Sequence, residues 1–173
     1  MTDRRSFLQA GALAVGALGL PRSARAAAAD PGPRVVSTWD FGVGANQVAW
    51  KTLAAGGSAL DAVEQGARWA ESELCNPTVG RCGNPDRDGN LSLDASIMDG
   101  DGRCGSVAAL IDILHPVSVA RRVMEQTPHV MLVGQGAQAF AVEQGFPRGK
   151  LLTPAAEKAW KAWLQTAEYA PQI

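Results

Sequence analysis

After residue 90 the spacing of apolar residues changes, and that change constrains the fold more than any other feature of the chain. "LSLDASIMD" (91–99) and "CGSVAALIDI" (104–113) are short β-like runs, and "GDGR" between them has the composition of a tight turn, so two antiparallel strands are predicted. On either side the period is helical. Upstream, apolar or small residues recur at 45, 48, 49, 52 and 53, one helical face, until Gly56 and Gly57 end it. Ser58 then opens a second helix over "ALDAVEQGARWAE", with Asp61 placed to complete a capping box and to favour the positive end of the helix dipole. These two helices are expected to pack as a hairpin. Downstream, "HPVSVARRVMEQTP" puts Pro116 in a first turn, apolar residues at 116, 119, 120, 123 and 124 on one face, and Pro128 at the stop. "HVMLVG" reads as a buried strand, "AQAFAVEQGF" as a helix stopped by Gly145, and "PAAEKAWKAWLQTAEYA" as a last helix. Near the other end, "RVVSTWDFG" reads as a strand running into a loop, with Trp39 where the strand ends. The order is mixed, an α/β (α+β) class without internal repeats.

A chain of 173 residues, 46% of them hydrophobic, suffices for one packed domain. Its first 26 residues do not belong to that domain. "DRRSFLQAG" carries the arginine pair Arg4 and Arg5 followed by Phe7 and Leu8; "ALAVGALGL" supplies a short apolar core, and "ARA" at Ala24 to Ala26 suits a signal peptidase. Residues 1–26 are therefore expected to be a twin-arginine export signal and residues 27–173 the domain itself, placed in the periplasm or outside the cell. The apolar run is about half the roughly 20 residues a spanning helix needs, so no stable membrane anchor is expected. Removing 1–26 takes away four arginines and one aspartate and leaves 12 basic against 16 acidic residues. With no basic run longer than two, nucleic acid is not an expected partner. Three cysteines remain in an oxidising compartment: Cys75 and Cys82 bracket "CNPTVGRC" and could form a local bridge or stand as two thiols, and Cys104 is left over.

The motifs that could carry chemistry are weak. "GQGAQA" (134–139) matches a dinucleotide fingerprint in form, but a helix rather than a second strand follows, so the small residues are read as serving helix packing. "NPDRDG" (84–89) resembles the start of a calcium loop, yet its twelfth position is Ala95 where a bidentate Glu is required, so an acidic turn is expected. No Cys-x-x-Cys pair accompanies His115 or His129, and His129, ahead of an apolar strand, is read as structural; neither metal nor cofactor is expected. Serines lack a G-x-S-x-G setting, and no catalytic residue can be named within the chain.

Taken together, "STWDFG", "GGSALDAVEQG", "NPDRDGNLSLDASIMD", "GSVA", "PVSVARRVMEQTPHVMLVGQGAQAFAVEQGF" and "LLTPAAEKAWKAWL" strongly resemble the amino-terminal half of glycosylasparaginases, also called aspartylglucosaminidases, across nearly all of residues 34–170. The resemblance implies half of a four-layer αββα sandwich of the N-terminal-nucleophile hydrolases. Such proteins cut themselves into α and β chains, and the new amino-terminal threonine of the β chain attacks the N-acetylglucosamine–asparagine amide, its own α-amine serving as base. By that likeness this chain is the α portion, expected to be inactive alone, to require a β chain carrying the nucleophilic Thr, and to assemble as a heterotetramer of two αβ pairs acting on a glycoasparagine. The site residues implied are Trp39 of the W-x-F-G stretch, lining the substrate pocket, with Phe41 and Asp40 beside it. Cys82 stands where family members often carry an aromatic, so the likeness does not fix the shape of that loop. The alternatives are a relative acting on asparagine or isoaspartyl peptides, and a non-catalytic remnant or binding subunit.

Overall fold

The β-hairpin forms where the period changes. In a computed structural model, which describes residues 32–73 and 76–167, β1 (Ser92–Met98) pairs antiparallel with β2 (Cys104–Ile111). The turn between them is closed by Asp99, whose carboxylate accepts the Asp101 and Arg103 amides at 3.0 and 2.9 Å, so the loop's backbone donors are satisfied locally. Between the Leu93–Leu110 and Ala95–Val107 pairs the register slips by one residue. Ala109 absorbs the slip in the left-handed region at φ 54°, and its N–H is taken up by the Asp94 carboxylate at 2.8 Å. β3 (Met131–Val133) adds to β2 in parallel, giving the order β1-β2-β3 among the described residues.

The helices form as the sequence predicts, with edges shifted. They are α1 (Gly42–Ala54), α2 (Ala59–Ser72), α3 (Pro116–Gln126), α4 (Gly134–Glu143) and α5 (Pro154–Trp163). The Ser58–Asp61 capping box is complete in both directions, and α1 and α2 pack as a hairpin. α3 and α4 cover one face of the sheet, where Val107, Leu110, Val119, Ala120, Val123, Ala137 and Ala141 are essentially inaccessible. Each such Val or Leu contributes about 1.5–3 kcal/mol over leaving it in water. The fit at the crossing is close: an added Cβ on Gly105 of β2 would lie 2.1 Å from the Ala120 carbonyl oxygen on α3. Within "GQGAQA" the packing falls to Ala137, while a Cβ on Gly136 would meet open space.

Three expectations need correction. "RVVST" forms no strand: it has no neighbouring strand to take its backbone groups, and Val36 stays 87% exposed. "HVMLVG" is a three-residue strand rather than a buried run, because helices cover only one face of the sheet and Met131 and Val133 point to the other. His129 is exposed; its backbone, not its ring, is bonded, to Thr127. The expected export signal lies outside the described residues, as does Cys75, on which the bridge to Cys82 depends.

Beside Leu60 and Ala67, which pack against the core cluster, the α1–α2 hairpin meets α3 through polar groups. Arg121 of α3 pairs with Asp61 and Glu64 of α2 at 2.7 and 2.8 Å, and Ser118 links Arg68 to Glu64. At the far end of α2, buried Glu71 accepts the Val117 amide at 3.0 Å and lies 3.0 Å from His115 Nδ1. A carboxylate there satisfies an orphan donor at the start of α3 and complements its dipole.

Candidate functional site

The Trp39–Phe41 segment leads into α1 and turns toward the edge of β1, and a cleft of about 470 Å³ opens between them. It is lined by Trp39 and Phe41, by Ala67, Ala70 and Glu71 of α2, and by residues 92–96 of β1. Along β1, Leu93 and Ile97 are buried while Ser92, Asp94 and Ser96 are exposed, the alternation expected of a strand covered on one face. Thr78 and Pro116 also belong to the lining. Trp39 is 69% exposed, an indole standing in solvent beside the cleft rather than filling core.

The third residue expected at this site is not among its lining. Asp40 takes the Phe41 amide onto its own carboxylate at 2.8 Å, a local turn that holds Phe41 in place. Sequence reasoning missed Glu71, Thr78 and Asp94. Their polar atoms are largely committed: Glu71 to α3 and His115, Asp94 to the Ala109 amide through Oδ1, and Thr78 to Asn76, whose carboxamide oxygen receives both its N–H at 2.9 Å and its hydroxyl at 2.6 Å. No Ser or Thr hydroxyl is hydrogen-bonded to a histidine ring among the described residues, and they contain no cluster of three or more His, Cys, Asp or Glu arranged for a metal. The cleft thus offers an aromatic wall, fixed carboxylates and hydroxyls, but no nucleophile–base pair.

The resolved shifts in acidity lie away from it and are structural. Asp61 is held down to about 2 by the Ser58 hydroxyl and then by Arg121; the Asn90 amide leads the lowering of Asp86. Asp86 is the turn former of "NPDRDG", with its carboxylate on the Asp88 and Asn90 amides at 2.9 and 2.8 Å.

A family profile described as asparaginase matches residues 24–172. The chain belongs to the asparaginase family. That family is one of N-terminal-nucleophile hydrolases, and the mixed helix and strand with its small sheet agrees with the class expected from the sequence. This asparaginase-family chain is 55% identical over 141 residues to the N(4)-(beta-N-acetylglucosaminyl)-L-asparaginase of Elizabethkingia miricola, covering 82% of the chain and 42% of that protein. It is 46% identical over 136 residues to the rat protein of the same name, covering 78% and 39%. A probable isoaspartyl peptidase/L-asparaginase of Arabidopsis thaliana is 39% identical over 136 residues, covering 78% and 38%. The chain spans about two fifths of the length of the curated relatives it matches.

Proposed function

We propose that this chain forms the α portion of an amidohydrolase that cleaves the N-acetylglucosamine–asparagine bond, with the attacking threonine supplied by a β chain. The observation that carries this reading is the cleft at Trp39 and Phe41: it has walls for a substrate and no paired nucleophile and base among the described residues. In an N-terminal-nucleophile enzyme the missing pair is a single residue, since the α-amine of the terminal threonine removes the proton from its own hydroxyl. The work left to this chain is binding and exclusion of water: Trp39 and Phe41 cover the apolar side of the linkage, and Ser92 and Ser96 present hydroxyls from β1. Assembly into two αβ pairs and delivery across the membrane by the twin-arginine route belong to the same proposal.

The test is reconstitution. The chain alone should release no aspartate from aspartylglucosamine above background, and co-production with a β chain that begins with threonine should restore turnover. In the reconstituted enzyme, Trp39→Ala should lower kcat/KM at least about tenfold, mostly through KM, as removal of a binding wall does. Turnover by the chain alone, or an unchanged kcat/KM in the variant, overturns the proposal. A second reading, action on asparagine or isoaspartyl dipeptides, is favoured by the name of the Arabidopsis relative; the same preparation assayed on those substrates separates the two.

A further inference from the structure

Away from the amide cleft, the end of α5 and the loop before β1 enclose a second cleft of about 390 Å³, lined by Asn84, Pro85, Arg87, Ala159, Trp160 and Trp163. Two indoles three residues apart on one helix face are more than a surface needs. The first is held rigidly: Trp160 Nε1 donates to the Arg87 carbonyl at 3.2 Å, and its six-membered ring lies against Gly89, where a Cβ would come within 2.7 Å of it. The second, Trp163, is 43% exposed. Asn84, an exposed carboxamide, lines the same cleft.

We propose that this cleft is a saccharide-binding subsite. A pyranose ring has an apolar face of C–H bonds, which stacks on an indole, and a rim of hydroxyls or an acetamido group, which pairs with a carboxamide; aromatics with a few placed polar groups are what such a ligand requires. No carboxylate is among the lining residues, and the volume holds one or two sugar rings. The same loop supplies Thr78 to the amide cleft and Asn84, Pro85 and Arg87 to this one, so a glycan chain extending from the reacting linkage has a second place to rest. That last point rests on the proposed activity; the saccharide site itself does not, because its binding is read without turnover.

The experiment titrates the purified chain with N,N′,N″-triacetylchitotriose by calorimetry and tryptophan fluorescence. Binding with Kd of order 1 mM is expected, weakened at least about tenfold by Trp163→Ala, about threefold by Asn84→Ala, and left unchanged by Trp39→Ala. Circular dichroism checks that each variant is folded, and Asn84→Ala decides if Trp163→Ala is not. No binding at about 10 mM sugar overturns the proposal. So does loss of binding in Trp39→Ala with Trp163→Ala unaffected, which would place the sugar in the amide cleft. Binding of a proline-rich peptide through Trp163 with no affinity for the sugar would make the cleft a peptide groove instead.

Discussion

Gly105→Ala tests whether the sheet and α3 are packed as closely as described. The new Cβ would lie 2.1 Å from the Ala120 carbonyl oxygen, 2.6 Å from the Met124 amide nitrogen and 2.9 Å from the Met124 Cβ. Ordinary contact begins near 3.5 Å, and two of the three obstacles are helix backbone, which cannot rotate away as a side-chain end can. α3 must therefore retreat from β2 by roughly 1 Å, and a gap of that size forfeits a quarter to a half of the dispersion energy along the contact. The residues that lose it are Val119, Ala120 and Val123, all inaccessible in the native packing. Overpacking typically costs about 1–3 kcal/mol, and a backbone obstruction belongs at the upper end, so about 3 kcal/mol is expected, with Tm falling by about 10 °C. Urea unfolding of the purified chain provides the check, with Ser106→Ala, on the uncovered face, as the control within about 0.5 kcal/mol of wild type. A Gly105→Ala midpoint equal to the control's would refute the reasoning.

Asp61 acts in a pH window that follows from its lowered acidity constant. Its stabilisation is complete above its ordinary value of 3.8 and lost as pH falls toward about 2; because the side chain is 42% exposed, Asp61→Asn should cost only about 1 kcal/mol at neutral pH, and the difference should close below pH 3, as read by denaturation across pH. The uncovered sheet face carries Met98, Ile111, Met131 and Val133 in the open, so the chain alone should bind a hydrophobic dye, and Val133→Lys should reduce the signal; a chain that ignores the dye counts against the face being available. Replacing Arg4 and Arg5 by Lys should leave the chain uncleaved inside the cell, with immunoblots of cell fractions as the measurement, and unchanged export would reject the twin-arginine route.

What could be read from the sequence was what local chemistry decides. Ser58 and Asp61 lie three residues apart and cap each other whatever surrounds them, and the β1–β2 turn is closed by Asp99 from within. What could not be read needed a neighbour. "RVVST" has strand propensity but gains a ladder only beside another strand, and "HVMLVG" carries no mark of which face a helix will cover. The cleft divides in the same way. Trp39 and Phe41, expected from the resemblance of "STWDFG", do line the cleft, whereas Glu71 is held there by partners 44 and 46 residues away, His115 and Val117. Asp40, beside two lining residues, was drawn off by the nearest amide.

The contact between α2 and α3 has a consequence for how the chain breathes. Carboxylates, guanidinium groups and one imidazole join the two helices, while the apolar cluster at the sheet is shared mainly by β1, β2, α3 and α4. Ionic contacts that reach solvent, as Asp61–Arg121 does, weaken with added electrolyte and apolar ones do not, so the α1–α2 hairpin is expected to loosen before the sheet. The cleft at Trp39 has one side on each of these units, Ala67 and Ala70 on the hairpin and Ser92 to Ser96 on the sheet. Its width is accordingly expected to respond to ionic strength, and amide hydrogens of α1 and α2 should exchange sooner in concentrated salt than those of β2.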